Sequence, residues 1–255
     1  MSEKPGVEFQ ALRKTYGDKV AVDGLTLTLR AGEAYCLLGP NGAGKTSTIN
    51  VLAGLSRPSG GEVLLNGVSV RSPEIHEARR ALGYLPDVPD LYDYLTGREM
   101  LHFVAELYGV EGDLPALIAQ WLTRLDFGPD ADQLTKTYSL GMRKKIAIGC
   151  ALIYQPTVLV LDEPTGSLDA ATARVVKDLV REARAEGRVV LFTTHVMEIA
   201  EQLADRIGIL HHGRLIAEGS PAELKATHGW VGDTLEDLFL RLTGTPRAAA
   251  ASPRA

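Results

Sequence analysis

The chain has 255 residues, 45% hydrophobic and 23% charged, which is the composition of a folded globular protein and excludes wholesale disorder. Its 27 basic and 32 acidic side chains sum to a formal charge of −5, so it carries no electrostatic footprint for nucleic acid. No apolar run approaches the roughly 18 residues that cross a bilayer, Met1 to Gln10 lacks the apolar core of a leader, and Cys36 and Cys150 are too few for a disulfide framework or zinc cluster.

A soluble cytoplasmic α/β protein is expected, and its elements can be taken in order. Leu25-Thr26-Leu27-Thr28-Leu29-Arg30 alternates apolar and polar side chains, the period-2 pattern of a half-buried antiparallel strand. Val7 to Leu12 and Glu62 to Leu65 read alike, the second entered through the turn Pro58-Ser59-Gly60-Gly61. Glu33 to Leu38 instead runs into Gly39 and a glycine-rich turn, after which Lys45 to Ala53 reads as a helix.

From about Asp90 to Ile153 the periodicity becomes helical. Thr96 and Glu99 form a capping box, followed by Met100, Leu101, Val104 and Leu107 on one apolar face. Asp113 opens a second helix carrying Leu114, Leu117, Ile118, Trp121, Leu122 and Leu125. Ser139 opens a third, with Met142, Ile146, Cys150 and Ile153 on its inner side.

Strand and helix then alternate. Thr157 to Leu161 is the continuous apolar run of a buried parallel strand. Asp169 to Glu186 reads as a helix closed by Gly187, and Arg188 to Thr193 as the next buried strand. Arg206 to Leu210 and Arg214 to Glu218 flank His211-His212-Gly213 as a hairpin. Thr234 caps a last amphipathic helix bearing Leu235, Leu238, Phe239 and Leu242, a stripe expected to pack on its own core rather than to dock a partner. The Ala, Pro and Arg-rich stretch 244–255 is expected to fray.

Two motifs carry chemistry. Gly39-Pro40-Asn41-Gly42-Ala43-Gly44-Lys45-Thr46, followed by Ser47, fits the P-loop pattern, strand before and helix after. Its glycines let backbone N–H groups turn inward around a phosphate, and the helix start adds its positive dipole end. Lys45 would reach the β- and γ-phosphates, and the Thr46 hydroxyl would ligate Mg²⁺. Val158-Leu159-Val160-Leu161-Asp162-Glu163 puts two acids at the C-terminal end of a buried strand, where ligands sit in open parallel sheets. Asp162 would hold Mg²⁺ through water, and Glu163 would polarise the attacking water.

With these motifs in place, the stretch from about Val7 to Leu242 resembles the ATP-binding subunit of an ABC (ATP-binding cassette) transporter. Tyr16 matches the aromatic residue that stacks on adenine. Tyr138-Ser139-Leu140-Gly141-Met142 resembles the signature motif, Ser167-Leu168-Asp169 the D-loop, and His195 the switch histidine. The resemblance implies a RecA-like α/β P-loop NTPase core with an N-terminal antiparallel β subdomain and an inserted helical subdomain at about 88–155, all in one domain over 1–243. It implies ATP and Mg²⁺ as cofactors and a pair of ATP-binding subunits, homodimer or heterodimer. In that pair Ser139 and Gly141 of one chain would meet the γ-phosphate on the P-loop of the other, Asp169 would lie across the interface, and His195 would sense the γ-phosphate. It also implies a separate transmembrane subunit, and so a place on the cytoplasmic face of the cell membrane, with no nucleic acid partner.

Two departures matter. The signature keeps its serine and second glycine in a form similar to exporter subunits for drugs, sodium and polymers. At Gly83-Tyr84-Leu85-Pro86-Asp87 the family usually ends in Gln. Asp87 could still ligate Mg²⁺, yet it would place a third carboxylate beside Asp162 and Glu163 and raise their repulsion unless a metal is bound. The rival reading, an ABC ATPase acting on nucleic acid or ribosomes, calls for a coiled-coil insertion or second cassette that this chain lacks, and a regulator without turnover fits poorly with Glu163 and His195.

Overall fold

The computed structural model describes residues 6–166, 168–227 and 235–243. Ser167, Thr234 and the stretch 244–255 lie outside the described residues. The strands are β1 (Val7–Tyr16), β2 (Lys19–Leu29), β3 (Ala34–Leu38), β4 (Gly60–Leu65), β5 (Val68–Ser69), β6 (Leu82–Leu85), β7 (Val158–Leu161), β8 (Val189–Thr194), β9 (Arg206–His211) and β10 (Arg214–Gly219). The helices are α1 (Lys45–Ala53), α2 (Ile75–Ala78), α3 (Gly97–Leu107), α4 (Leu114–Arg124), α5 (Leu140–Leu152), α6 (Ala170–Ala185), α7 (Met197–Leu203), α8 (Pro221–Thr227) and α9 (Leu235–Thr243).

These strands make two sheets. One is antiparallel, in the order β2-β1-β4-β5, and the other has six strands in the order β10-β9-β3-β8-β7-β6. In the larger sheet β9, β3, β8, β7 and β6 run parallel, and only β10 is antiparallel, hairpinned onto β9. Period-2 alternation in the buried strands explains the layering. Tyr35, Leu37, Val158, Val160, Val189 and Leu191 face a core shared with the antiparallel sheet and α1. Their neighbours Cys36, Leu38, Leu159, Leu161, Val190 and Phe192 face a second core built with the remaining helices.

Most local expectations hold. α1 has the expected bounds, and the caps Thr96, Asp113, Ser139 and Asp169 each accept the predicted first-turn N–H. The apolar stripe of α9 packs on its own core, with Leu235 and Leu238 buried.

Several features differ from the periodicity, among them β5, α2 and the start of β2 at Lys19 rather than near Leu25. β1 runs four residues beyond Leu12, its register shifting across Ala11, whose φ is +49°. Leu107 is exposed rather than part of the inner face of α3. The helices α7 and α8 have patterns too short to stand out. So does β6, which is a strand because Leu82 to Leu85 pair with Val158 to Leu161. Within it, a Cβ on Gly83 would lie 2.3 Å from the Ala151 carbonyl oxygen, so the glycine permits β6 to press against α5.

Candidate active site

The parallel sheet decides the site. Strands β3, β8, β7 and β6 are neighbours pointing the same way, so their C-terminal ends deliver four segments to one edge. The P-loop follows β3, His195 follows β8, Asp162 and Glu163 follow β7, and Asp87 follows β6. A cleft of about 260 Å³ opens there, lined by Tyr16, Pro40, Asn41, Gly42, Gly44, Lys45, Thr46, Ser47, Asp87, Asp162 and Glu163 among others.

Helix α1 begins without a side-chain cap and without an acid in its first turn. Its N-cap, Gly44, has φ +110°, and a Cβ there would lie 2.3 Å from the Ala21 carbonyl oxygen, so only glycine fits. The first N–H groups of α1 are thus left for a ligand. Lys45, 5% exposed, folds back onto the loop, donating to the carbonyls of Gly39 at 2.7 Å and Pro40 at 3.3 Å. Its ammonium also stands 3.4 Å from Glu163 Oε1, and His195 Nδ1 is 3.0 Å from the same oxygen. Tyr16 ends β1 half exposed, with Lys14 Nζ 4.5 Å from its ring centroid, and offers an open aromatic face beside the loop.

Asp162 is 3% exposed and accepts from the Thr193 hydroxyl at 2.5 Å; the same hydroxyl oxygen accepts from the Glu163 N–H at 3.0 Å. Thr193 was not singled out by the sequence, although a fully buried hydroxyl at the end of a parallel strand is a signal for it. Cys36 lies behind this cluster on β3, where burial, with the Glu163 charge adding, pushes its thiol well above the ordinary range. The Tyr84 phenol is pushed up to about 12 by burial and by the Asp162 and Asp87 carboxylates.

The third carboxylate is not left to repel its neighbours, which corrects the expectation for Asp87. Its Oδ1 lies 3.2 Å from Lys144 Nζ, a completely buried ammonium on α5. Lys144 also escaped notice in the sequence, though it shares a helical stripe with the buried Ala147, Ile148 and Ala151, where a cation is out of place. No three His, Cys, Asp or Glu side chains among the described residues converge as a metal cage. Thr46 and Asp162 both line the cleft, and a hydroxyl with a carboxylate suits a hard cation that takes its remaining ligands from phosphate and water.

Ser139, Gly141 and Asp169 do not line this cleft. They gather elsewhere, a Cβ on Gly141 being 3.8 Å from Asp169 Oδ2. Ser139 Oγ accepts the Met142 N–H at 3.3 Å, and Asp169 takes the backbone N–H and hydroxyl of Thr172, which hold its carboxyl below the usual range.

The family profile described as ABC transporter matches residues 22–166. The chain belongs to the ABC transporter family. It is 40% identical over 225 residues to a Nod factor export ATP-binding protein I of Burkholderia orbicola, covering 88% of this chain and 73% of that protein. It is 41% identical over 224 residues to a daunorubicin/doxorubicin resistance ATP-binding protein of Streptomyces peucetius, covering 88% and 68%. Among solved structures it matches an ATP-binding subunit of an ABC transporter with TM-score 0.85 and 30% identity, over 93% of this chain and 99% of that one. The cassette therefore binds and hydrolyses ATP as a transporter subunit. No helix among its described residues is long and apolar enough to cross a membrane.

Proposed function

We propose that this cassette powers export by a separate membrane-embedded partner, working in pairs on the cytoplasmic side of the membrane. The observation that carries this reading is the groove beside the Asp87 loop. About 260 Å³ in volume, it runs between that loop and the helices α3 and α5, lined by Tyr84, Pro86, Pro89, Leu91, Val104 and Tyr108 among others. Val88, Tyr92 and Tyr94 stand exposed on the same loop, an apolar rim that a soluble ATPase working alone has no reason to keep. A cytoplasmic helix of the membrane partner fits such a groove.

The chemistry follows from the cleft. ATP lays its adenine on Tyr16 and its phosphates on the open start of α1, displacing Lys45 from the carbonyls of Gly39 and Pro40 toward the β- and γ-phosphates. Thr46 and Asp162 would hold Mg²⁺, with Asp87 at the edge of the same cleft, and the ion would supply neutralisation of the phosphate charge. Glu163 accepts a proton from water as the water oxygen bonds the γ-phosphorus. The bond from that phosphorus to the bridging oxygen breaks, and its electron pair leaves with ADP. His195, already on Glu163 Oε1, orients the carboxylate and contacts the γ-phosphate. Ser139 and Gly141, being absent from their own chain's cleft, serve the nucleotide of a second cassette, with Asp169 at the junction. ATP thus closes the pair and hydrolysis reopens it.

Glu163→Gln is expected to keep ATP binding while hydrolysis falls ~100- to 10,000-fold, the span for loss of a positioned base. Tagged Glu163→Gln protein, recovered from detergent-solubilised native membranes with MgATP, should bring down a stoichiometric multi-helix membrane protein. Recovery of ribosomes or nucleic acid alone would refute the transport reading.

A further inference from the structure

The Lys144 ammonium is buried with no exposed surface, yet all three of its protons have acceptors. Nζ lies 2.8 Å from the Glu163 carbonyl oxygen, 3.2 Å from the Gly166 carbonyl oxygen and 3.2 Å from Asp87 Oδ1. One cation on α5 therefore joins the turn after β7 to the loop after β6.

Backbone strain gives this clasp its meaning. Glu163 has φ +45°, a left-handed conformation in which a side chain with a Cβ is disfavoured, so the surroundings must hold it there. Its N–H donates to Thr193 Oγ1, and its carbonyl accepts from the Gly166 N–H at 3.1 Å and from Lys144. The direction of the carboxylate toward Lys45 and His195 follows from that backbone conformation.

We propose that Lys144 is a positioning residue for hydrolysis: clasped by Asp87 and by the carbonyls of Glu163 and Gly166, it holds Glu163 in its left-handed conformation and so aims the carboxylate at the water. Asp87 serves here as the counter-ion that keeps the ammonium in place. Turnover is conditional on α5 being seated against the β6 and β7 loops, while the phosphate contacts of α1 are not. The inference rests on Glu163 being the water-activating base.

The test compares ATP affinity, kcat and KM for the full-length wild type, Lys144→Met, Lys144→Gln, the double variant Lys144→Gln/Asp87→Asn, and Glu163→Gln. Lys144→Met should lower kcat ~10- to 100-fold, the scale of a displaced reacting group, while KM and ATP affinity change less than about threefold. The double variant replaces the ion pair by a neutral hydrogen-bonded pair and should recover kcat to within about fivefold of wild type, above Lys144→Gln alone. A kcat for Lys144→Met within about twofold of wild type overturns the proposal, as does a loss of ATP affinity by the folded variant as large as its loss of kcat, which would place Lys144 in nucleotide binding rather than in aiming Glu163. If Lys144→Met fails to fold, Lys144→Gln against the double variant decides: no recovery overturns it. Near-normal hydrolysis by Glu163→Gln removes the base assignment itself, whatever the Lys144 variants do.

Discussion

Two sets of helix starts in this protein are built on opposite plans. Helices α3, α4 and α6 begin under Thr96, Asp113 and Asp169, whose side chains accept first-turn N–H groups; α3 adds the reciprocal bond from the Thr96 N–H to Glu99. Helix α1 begins at a glycine with no cap, with no acid in its first turn and a lysine as its first residue. A helix end leaves orphan donors that something must satisfy. Where the chain satisfies them itself the helix is scaffold, and where it leaves them open, beside a lysine, they await an anion. Helix α5 lies between the two, since Ser139 caps only through a long 3.3 Å contact.

The sharpest way to break this contrast is Lys45→Ala. It removes a charge-assisted contact worth about 1.5–3 kcal/mol, so ATP affinity should fall ~10- to 100-fold by equilibrium binding. Ser139→Ala tests the intermediate case. ATP binding to the single chain should hold within about twofold, while ATP-dependent pairing, followed by light scattering, weakens about tenfold through a lost hydrogen bond. Thr96→Ala probes a purely structural start, and should cost about 1 kcal/mol, or a Tm drop of ~2–4 °C, with kcat unchanged.

The smallest effect concerns pH. Tyr84 titrates near 12 in the folded chain and near 10 when unfolded. Its neutral form favours folding, so this contribution is complete below pH 10 and is lost as pH rises from 10 to 12. Tyr84→Phe should flatten the stability curve in that window, read by chemical denaturation at stepped pH. A curve as steep as the wild type's would show that the other raised tyrosines, Tyr35 and Tyr154, carry the alkaline loss.

What the sequence made legible was local. The bounds of α1, the caps of α3 to α6 and the glycine turn before Lys45 depend on residues within a few positions of each other, so periodicity and cap chemistry suffice to place them. The acids ending β7 were readable for the same reason, as an apolar run stopped by Asp162 and Glu163.

The tertiary structure decided what those local signals face. Leu82 to Leu85 carry too little pattern to be a strand until β7 pairs with them, and that pairing brings Asp87 to the edge of the site. Asp87 taken alone predicts carboxylate repulsion, yet Lys144, 57 residues away, meets it. Lys144 stands on the apolar stripe of α5 with Ala147, Ile148 and Ala151, and only the seating of α5 beside the loops after β6 and β7 supplies its acceptors. Thr193 likewise becomes the partner of Asp162 and Glu163 because β8 lies next to β7 in the sheet. Sheet order and helix seating are settled by burial summed over the whole chain, and no window of neighbouring residues contains that sum.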